Sequence, residues 1–158
     1  MEKLIRRRPA AAAGALSDEP IHPLLARVYG GRGICSGEQL DLGLVRLLPP
    51  SALLNAGAAA GLLADAIAAG SRLLVVGDFD ADGATSTALA VAVLRQFGAT
   101  SVDYLVPNRF DYGYGLTPEI VELAATRQPD LIITVDNGIS SLEGVSAARE
   151  QGIATLIT

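Results

Sequence analysis

The sequence LLVVGDFDADG at residues 73–83 decides the fold, because it places an acidic cluster directly after an apolar run. The run at residues 73–76 has the continuous apolar character of a strand that is buried on both faces of a parallel sheet. Asp78, Asp80 and Asp82 follow at alternate positions. Crowding three like charges is unfavourable unless a polyvalent cation neutralises them. The cluster therefore predicts a site for a hard metal ion with oxygen ligands at the end of a strand.

A second acidic turn repeats this arrangement further along the chain. Asp136, Asn137 and Gly138 follow the apolar run LIITV at residues 131–135. Ligands bind at the carboxyl ends of the strands in open parallel sheets, and both acidic turns fall at such ends. We therefore expect the two turns to form one site between neighbouring strands.

Strand and helix patterns alternate from Gly70 to the end of the sequence, which predicts an α/β fold with a parallel sheet and right-handed crossovers. Thr117-Pro118-Glu119 has the N-cap residue, the proline and the acidic residue of a helix start. Strands are expected at residues 72–76, 102–106, 130–135 and 153–157, and helices at 84–97, from 117 and from 140, with a long irregular loop at 107–116.

Three segments are expected along the chain. Residues 1–20, with an arginine run and an alanine-rich tract, are typical of a flexible arm. Residues 21–70 are expected to form a small helical segment, in which Ser36 and Gln39 have capping-box spacing. Residues 71–158 are expected to form the sheet domain. This domain is predicted to be truncated at its C-terminal end, since the fourth strand has no closing helix after it.

Composition narrows the classes of function. A net charge of −5 argues against a general polyanion-binding surface, although carboxylates in a metal site contribute to it. The single cysteine, Cys35, excludes an internal disulfide and fits a reducing compartment. No apolar window has the length of a membrane span, so the chain is expected to be cytoplasmic, with no membrane partner.

Other sites with a similar acidic pattern fit less well. An EF-hand that begins at Asp78 would need an acidic residue at position twelve, where the chain has Leu89. A phosphatase with an aspartate nucleophile matches Asp82-Gly83 poorly, and helix capping explains one aspartate but not three. A phosphoesterase that holds two Mn²⁺ or Mg²⁺ ions about 3.5–4 Å apart is favoured, because it needs carboxylates from several strand ends.

Three blocks of sequence resemble the DHH phosphoesterase superfamily, and most closely its exonucleases that are specific for single-stranded DNA. The blocks are LLVVGDFDADGATSTAL at 73–89, VPNRFDYGYGL at 106–116 and LIITVDNGISS at 131–141. The resemblance implies a Rossmann-like domain that hydrolyses single-stranded DNA in the 5′→3′ direction, with Mn²⁺ or Mg²⁺, in DNA repair and recombination. It also implies that a single-strand binding protein and a helicase are partners.

The same resemblance assigns residues to the metal centre. It implies that Asp80, Asp82 and Asp136 are catalytic metal ligands, with Asp78 as a supporting or additional one. The family's Asp-His-His motif is expected to follow the fourth strand, where this sequence ends, so the two-metal site is expected to be incomplete and this chain alone inactive. The sole histidine, His22, is expected to start a helix rather than to replace a missing ligand.

Two alternatives stay open at this point. The first is another enzyme of the superfamily that acts on short or small substrates, such as a nanoRNase, a cyclic-dinucleotide phosphodiesterase or a pyrophosphatase. The second is a module that binds metal or a partner without catalysis. Activity on a long oligonucleotide against a dinucleotide separates the exonuclease from the first alternative.

The loop at residues 107–115 is the best candidate for contact with a substrate. Arg109, next to Asn108, can donate two parallel hydrogen bonds to a phosphate group. Tyr114 or its neighbour Tyr112 can stack on a base; packing of the rings on the sheet is the structural alternative. Thr85 and Ser86 start the helix behind the acidic cluster, where small polar side chains and free amide groups suit a phosphate, and helix capping explains them nearly as well.

Overall fold

The computed structural model describes Leu16 and residues 19–158, apart from the side chain of Arg109. It forms two compact units, with the boundary between Leu53 and Leu54. The arm predicted for residues 1–20 therefore lies largely outside the described residues.

The first unit is built from short helical turns. Helix α1 spans Pro23–Gly30, and its N-cap His22 accepts a hydrogen bond at Nδ1 from the Leu24 N–H at 3.2 Å. Single 3₁₀ turns follow at Gly37–Leu40, Leu44–Arg46 and Pro50–Ala52. The predicted capping box is present at the first of these turns, where the Gln39 carboxamide oxygen accepts from the Ser36 N–H at 3.2 Å.

The second unit has the predicted alternation of strands and helices, which confirms the α/β fold class. Its elements are α2 (Ala56–Ala68), β1 (Arg72–Val76), α3 (Ala81–Gln96), β2 (Ser101–Leu105), α4 (Arg109–Tyr112), α5 (Pro118–Ala125), β3 (Leu131–Thr134), α6 (Leu142–Glu150) and β4 (Ala154–Ile157). Three details of the helices differ from the expectation. Helix α3 begins three residues before Ala84, and α6 begins at Leu142 rather than at residue 140. The loop expected to be irregular contains the single turn α4.

All four strands are parallel, in the order β2-β1-β3-β4. Val76, at the end of β1, pairs with Leu105 of β2 and with Thr134 of β3. The chain passes from β1 to β2 on one side and returns to β3 on the other, so a topological switch point lies between β1 and β3. Asp78 and Asp136 each come two residues after the paired Val76 and Thr134. The register therefore brings the two acidic turns to the same level.

Helices cover both faces of the sheet, so β1 is buried after its first residue, Arg72, and β3 is buried along its whole length. On one face, Leu74, Val76 and Ile132 pack with residues of α5 and α6. On the other face, Leu73, Val75 and Ile133 pack with residues of α3 and α2. The contacting residues of α2 are Leu63, Ala66 and Ile67. The packing groups α2 with the sheet, so the compact unit begins at Leu54, whereas the sequence pattern placed α2 in a segment that ends at residue 70. Within the described part of the chain, no helix has the length and apolar character of a membrane span.

Truncating the centre of β3 should strongly destabilise the domain. Ile132 has no exposed surface, and Ile132→Ala would remove buried carbon atoms and leave a cavity, at a cost of about 2–5 kcal/mol. The matched control Ile132→Val should cost about 0.5–1.5 kcal/mol. Urea unfolding followed by circular dichroism measures both values, and equal costs for the two variants would contradict the packing described for β3.

Candidate metal centre

The end of β1 and the start of α3 place two of the aspartates. Asp78 is buried, and its Oδ1 accepts a hydrogen bond from the Phe79 N–H at 2.8 Å. Asp80 is the N-cap of α3, where its Oδ1 accepts from the Gly83 N–H at 3.1 Å. A side chain at Gly83 would overlap the backbone of Asp78. Glycine at this position therefore allows the positive end of the helix to approach the carboxylates closely.

The turn after β3 places the third aspartate. Asp136 has left-handed backbone geometry, with φ 61°. Asn137 is buried, and its Nδ2 donates to the carbonyl of Val135 at 2.9 Å and to that of Val76 at 3.2 Å. Thr134 Oγ1 donates to the Asn137 carbonyl at 2.9 Å. These contacts tie the turn to the end of β1 and hold Asp136 beside Asp78.

Asp78, Asp80 and Asp136 form a group that could hold a metal ion. One carboxylate oxygen from each lies within 4.8 Å of the other two. Oxygens bound to one Mg²⁺ lie about 2.0–2.1 Å from it, and therefore up to about 4.2 Å from each other. The observed limit of 4.8 Å is slightly wider than that spacing. Among the described residues, the candidate centre contains carboxylates alone, which is the ligand chemistry of a hard divalent cation.

The electrostatics of Asp136 show why a cation fits here. The pKa of the Asp136 carboxyl is raised, and the largest cause is its partial removal from solvent. The charges of Asp80, Asp82 and Asp78 and a hydrogen bond with Asp80 raise this pKa further. Each of these causes disfavours the carboxylate in the metal-free protein. A divalent cation between the aspartates would reverse the balance, because it attracts all of the charges that otherwise repel one another.

Asp82 lies beside this group rather than in it. It is exposed in the first turn of α3, and its charge contributes to the raised pKa of Asp136. The converging oxygens belong to Asp78, Asp80 and Asp136, whereas the family resemblance placed Asp82 among the ligands and Asp78 in a supporting role; ligation by Asp82 stays a prediction. Thr85 and Ser86 follow in α3, and their hydroxyls donate to the carbonyls of Ala81 at 2.9 Å and Asp82 at 2.7 Å. Contact of these hydroxyls with a phosphate also stays a prediction.

The loop before α5 approaches the centre through Tyr114, whose hydroxyl donates to the backbone carbonyl of Asp136 at 3.0 Å. Tyr112 is half-buried and packs against the core under α5 and α6. Asn108 stabilises α4, because its Oδ1 accepts from the Phe110 N–H at 3.1 Å and its Nδ2 donates to Asp111 at 2.7 Å. The guanidinium predicted to bind phosphate, that of Arg109, lies outside the described residues.

Two exposed phenylalanines beside the aspartates were missed by the sequence reasoning. Phe79 lies between Asp78 and Asp80, and its ring centroid is 6.3 Å from that of Phe110. The exposed fractions are 47% for Phe79 and 88% for Phe110. The sequence contains only three phenylalanines. Their scarcity, with one inside the acidic motif and one beside Arg109, was the available signal.

His22 and Cys35 have local roles in the first unit. His22 caps α1 through Nδ1, as expected of a residue at a helix start. Cys35 is exposed, and its thiol donates to the Gly33 carbonyl at 3.2 Å. Neither residue belongs to the candidate centre found in the described part of the chain.

Comparison with known proteins shows which sequences and structures this chain resembles. The sequence profile of the DHH family, N-terminal domain, matches residues 72–158. The single-stranded-DNA-specific exonuclease RecJ of Haemophilus influenzae is 47% identical over 158 residues, which are 100% of this chain and 27% of the relative. The RecJ of Escherichia coli is 48% identical over 154 residues, which are 98% of this chain and 26% of the relative. The chain thus spans about a quarter of the length of these relatives.

A solved structure is also similar. The crystal structure of an exonuclease RecJ bound to manganese superposes with a TM-score of 0.58 at 39% identity, over 64% of this chain and 26% of that one. The parallel sheet of the second unit is therefore shared with a protein whose structure contains manganese.

Replacing Asp136 should weaken metal binding and relieve charge repulsion. In Asp136→Asn, the affinity for Mn²⁺ should fall at least about tenfold, since loss of a group that only orients a ligand already costs about 10–100-fold. The metal-free variant should be at least as stable as the wild type at neutral pH. Because the folded pKa of Asp136 is raised, the wild type should lose stability, relative to the variant, as pH rises through that pKa.

The measurements are Mn²⁺ titration by electron paramagnetic resonance and urea unfolding without metal at several pH values. The matched control is Asp65→Asn, which removes an exposed carboxylate from α2. This variant should change neither the affinity for Mn²⁺ nor the pH dependence of the free energy of unfolding. Unchanged Mn²⁺ affinity in Asp136→Asn would contradict the assignment of Asp136 to the centre.

Proposed function

Because the chain belongs to the DHH family, we propose that it carries the acidic part of the metal centre of an exonuclease that degrades single-stranded DNA in the 5′→3′ direction. The observation that carries the proposal is the convergence of Asp78, Asp80 and Asp136 at the switch point of a parallel sheet. The identity of almost half to exonucleases named for single-stranded DNA supports this substrate.

The aspartates would hold one or two Mn²⁺ or Mg²⁺ ions, with Asp82 as a further ligand. When bound, such ions supply an activated water and neutralise the phosphate that it attacks. The protein orients these carboxylates without the ion. The Asp80 carboxylate is held because it caps α3, and Asp136 is held by the turn that Asn137 connects to β1. We assign the histidines of the family's Asp-His-His motif to the part of the relatives that this chain does not span.

The surface beside the centre suits a nucleic-acid strand. The exposed rings of Phe79 and Phe110 provide flat apolar surface for stacking on bases, which tolerates any sequence. We assign Arg109 and Asn108, with Thr85 and Ser86, to contacts with the phosphate backbone. With a net charge of −5, binding of DNA phosphates at this site should depend strongly on the metal ion.

The cellular role follows from the same proposal. We propose that this nuclease acts in DNA repair and recombination in the cytoplasm of a bacterial cell. Its substrate is produced by strand separation, so a helicase and a single-strand binding protein are the proposed partners.

The full-length protein encoded by the gene that contains this chain tests the activity. With Mn²⁺, it should release nucleotides from a 3′-labelled single-stranded oligonucleotide by digestion from the 5′ end, and leave duplex DNA intact. Asp80→Asn should lower the rate at least about a hundredfold, because it removes a group that binds the ion, and loss of groups that only orient a ligand already costs about 10–100-fold. Asp65→Asn should retain the wild-type rate. Preference for a dinucleotide would favour a nanoRNase-like enzyme, and inactivity of a folded protein on every substrate would favour a non-catalytic module. Either result would overturn the exonuclease proposal.

The contribution of the phenylalanine rings can be measured separately. Phe110→Ala should raise KM for single-stranded DNA about 5–160-fold, since stacking on one base contributes about 1–3 kcal/mol. Phe97→Ala removes a similarly exposed ring after α3, outside the Phe79–Phe110 pair, and should leave KM unchanged. An abasic oligomer has no bases to stack on the ring, so Phe110→Ala should bind it as tightly as the wild type does. Equal losses with and without bases would exclude stacking by Phe110.

A further inference from the structure

We propose that Tyr114 is a positioning residue whose hydroxyl holds Asp136 in its metal-binding geometry. This inference rests on the proposed metal centre, since Asp136 is one of its ligands. Its starting point is the hydrogen bond from the Tyr114 hydroxyl to the Asp136 carbonyl at 3.0 Å, between residues 22 positions apart in the sequence.

The backbone of Asp136 needs such a contact. Its φ of 61° lies in the left-handed region, which aspartate tolerates better than most residues but which still costs free energy and persists where surrounding structure determines it. The Asn137 side chain constrains the turn from the side of β1. The hydrogen bond from Tyr114 constrains the peptide group of Asp136 itself.

Tyr114 can act as a constraint because the next part of its loop is firmly anchored. The Leu116 N–H donates to Ser141 Oγ at 2.9 Å, and the Leu116 side chain is only 1% exposed. A side chain at Gly144, in α6, would overlap the Leu116 carbonyl. Residues 114–116 therefore contact both ends of the 136–141 turn, at Asp136 and at Ser141. We call this segment the strap.

The hydroxyl, rather than the ring, carries the proposed role. Tyr114 is 61% exposed, so its ring buries little surface on the sheet. The sequence suggested that this ring stacks on a base. Tyr114→Phe separates the two roles, because it retains the ring and removes only the oxygen that donates to Asp136.

The test is Mn²⁺ binding by the full-length protein encoded by the gene that contains this chain, measured by electron paramagnetic resonance. Tyr114→Phe should weaken the affinity about tenfold, the lower end of the range for groups that orient metal ligands. Tyr104→Phe is the matched control, because Tyr104 lies on β2 and is 54% exposed. The affinity of this variant for Mn²⁺ should equal that of the wild type. Ser141→Ala should weaken Mn²⁺ binding in the same direction, because it releases the other end of the strap.

The possible outcomes of the Mn²⁺ titrations and of the kinetic measurement separate the role of Tyr114 from the existence of the metal centre. Wild-type affinity in folded Tyr114→Phe would overturn the role of the hydroxyl, and Ser141→Ala provides the same test of the strap if Tyr114→Phe does not fold. Absence of Mn²⁺ binding by the wild type would instead overturn the proposed centre on which the inference rests. In the full-length protein, Tyr114→Phe should lower kcat at limiting Mn²⁺ with KM for DNA unchanged. If the ring only stacked on a base, Tyr114→Phe would leave both kcat and KM unchanged, because phenylalanine retains the ring.

Discussion

The candidate centre depends on the hydrogen bonds that the side-chain amide of Asn137 donates. This amide donates to the Val135 carbonyl within its own turn and to the Val76 carbonyl at the end of β1. Both contacts are buried, so their loss would leave backbone carbonyls without these donors in a region that water does not reach freely. The parallel register brings β1 and β3 to the same level, and Asn137 extends that alignment past the last paired residues to the aspartates.

The aspartates are brought together against their own electrostatic repulsion. The raised pKa of Asp136 reports this, since lost solvent and the charges of three neighbouring aspartates all disfavour its carboxylate. The apolar core supplies the free energy that keeps them close: β1 and β3 are covered on both faces by helices. A divalent cation would turn this repulsion into attraction, so its binding would also stabilise the fold.

Sequence reasoning located the strands and both acidic turns because their signals are local. Continuous apolar runs indicate strands buried on both faces, and Thr117 caps α5 as its sequence predicts. The family resemblance ranked Asp82 above Asp78 as a ligand, whereas the converging carboxylate oxygens belong to Asp78, Asp80 and Asp136; which of Asp78 and Asp82 binds a metal stays a prediction. Once Asp80 caps α3, the helix begins at Ala81 and carries Asp82 in its first turn, while buried Asp78 stays at the strand end. The contacts of Tyr114, Asn137 and Ser141 join distant segments and had no local signal.

By itself, the sequence determined the α/β class, the strand ends at which chemistry is expected, and a donor set suited to a hard divalent cation. It did so because strand burial and ligand chemistry depend on the residue types within a few positions. Only the tertiary structure decided that Asp78 and Asp136 lie at one level, that Asn137 joins their strands, and that Tyr114 reaches the backbone of Asp136. Those features depend on register and on loops that meet across the sheet, which no short stretch of sequence encodes.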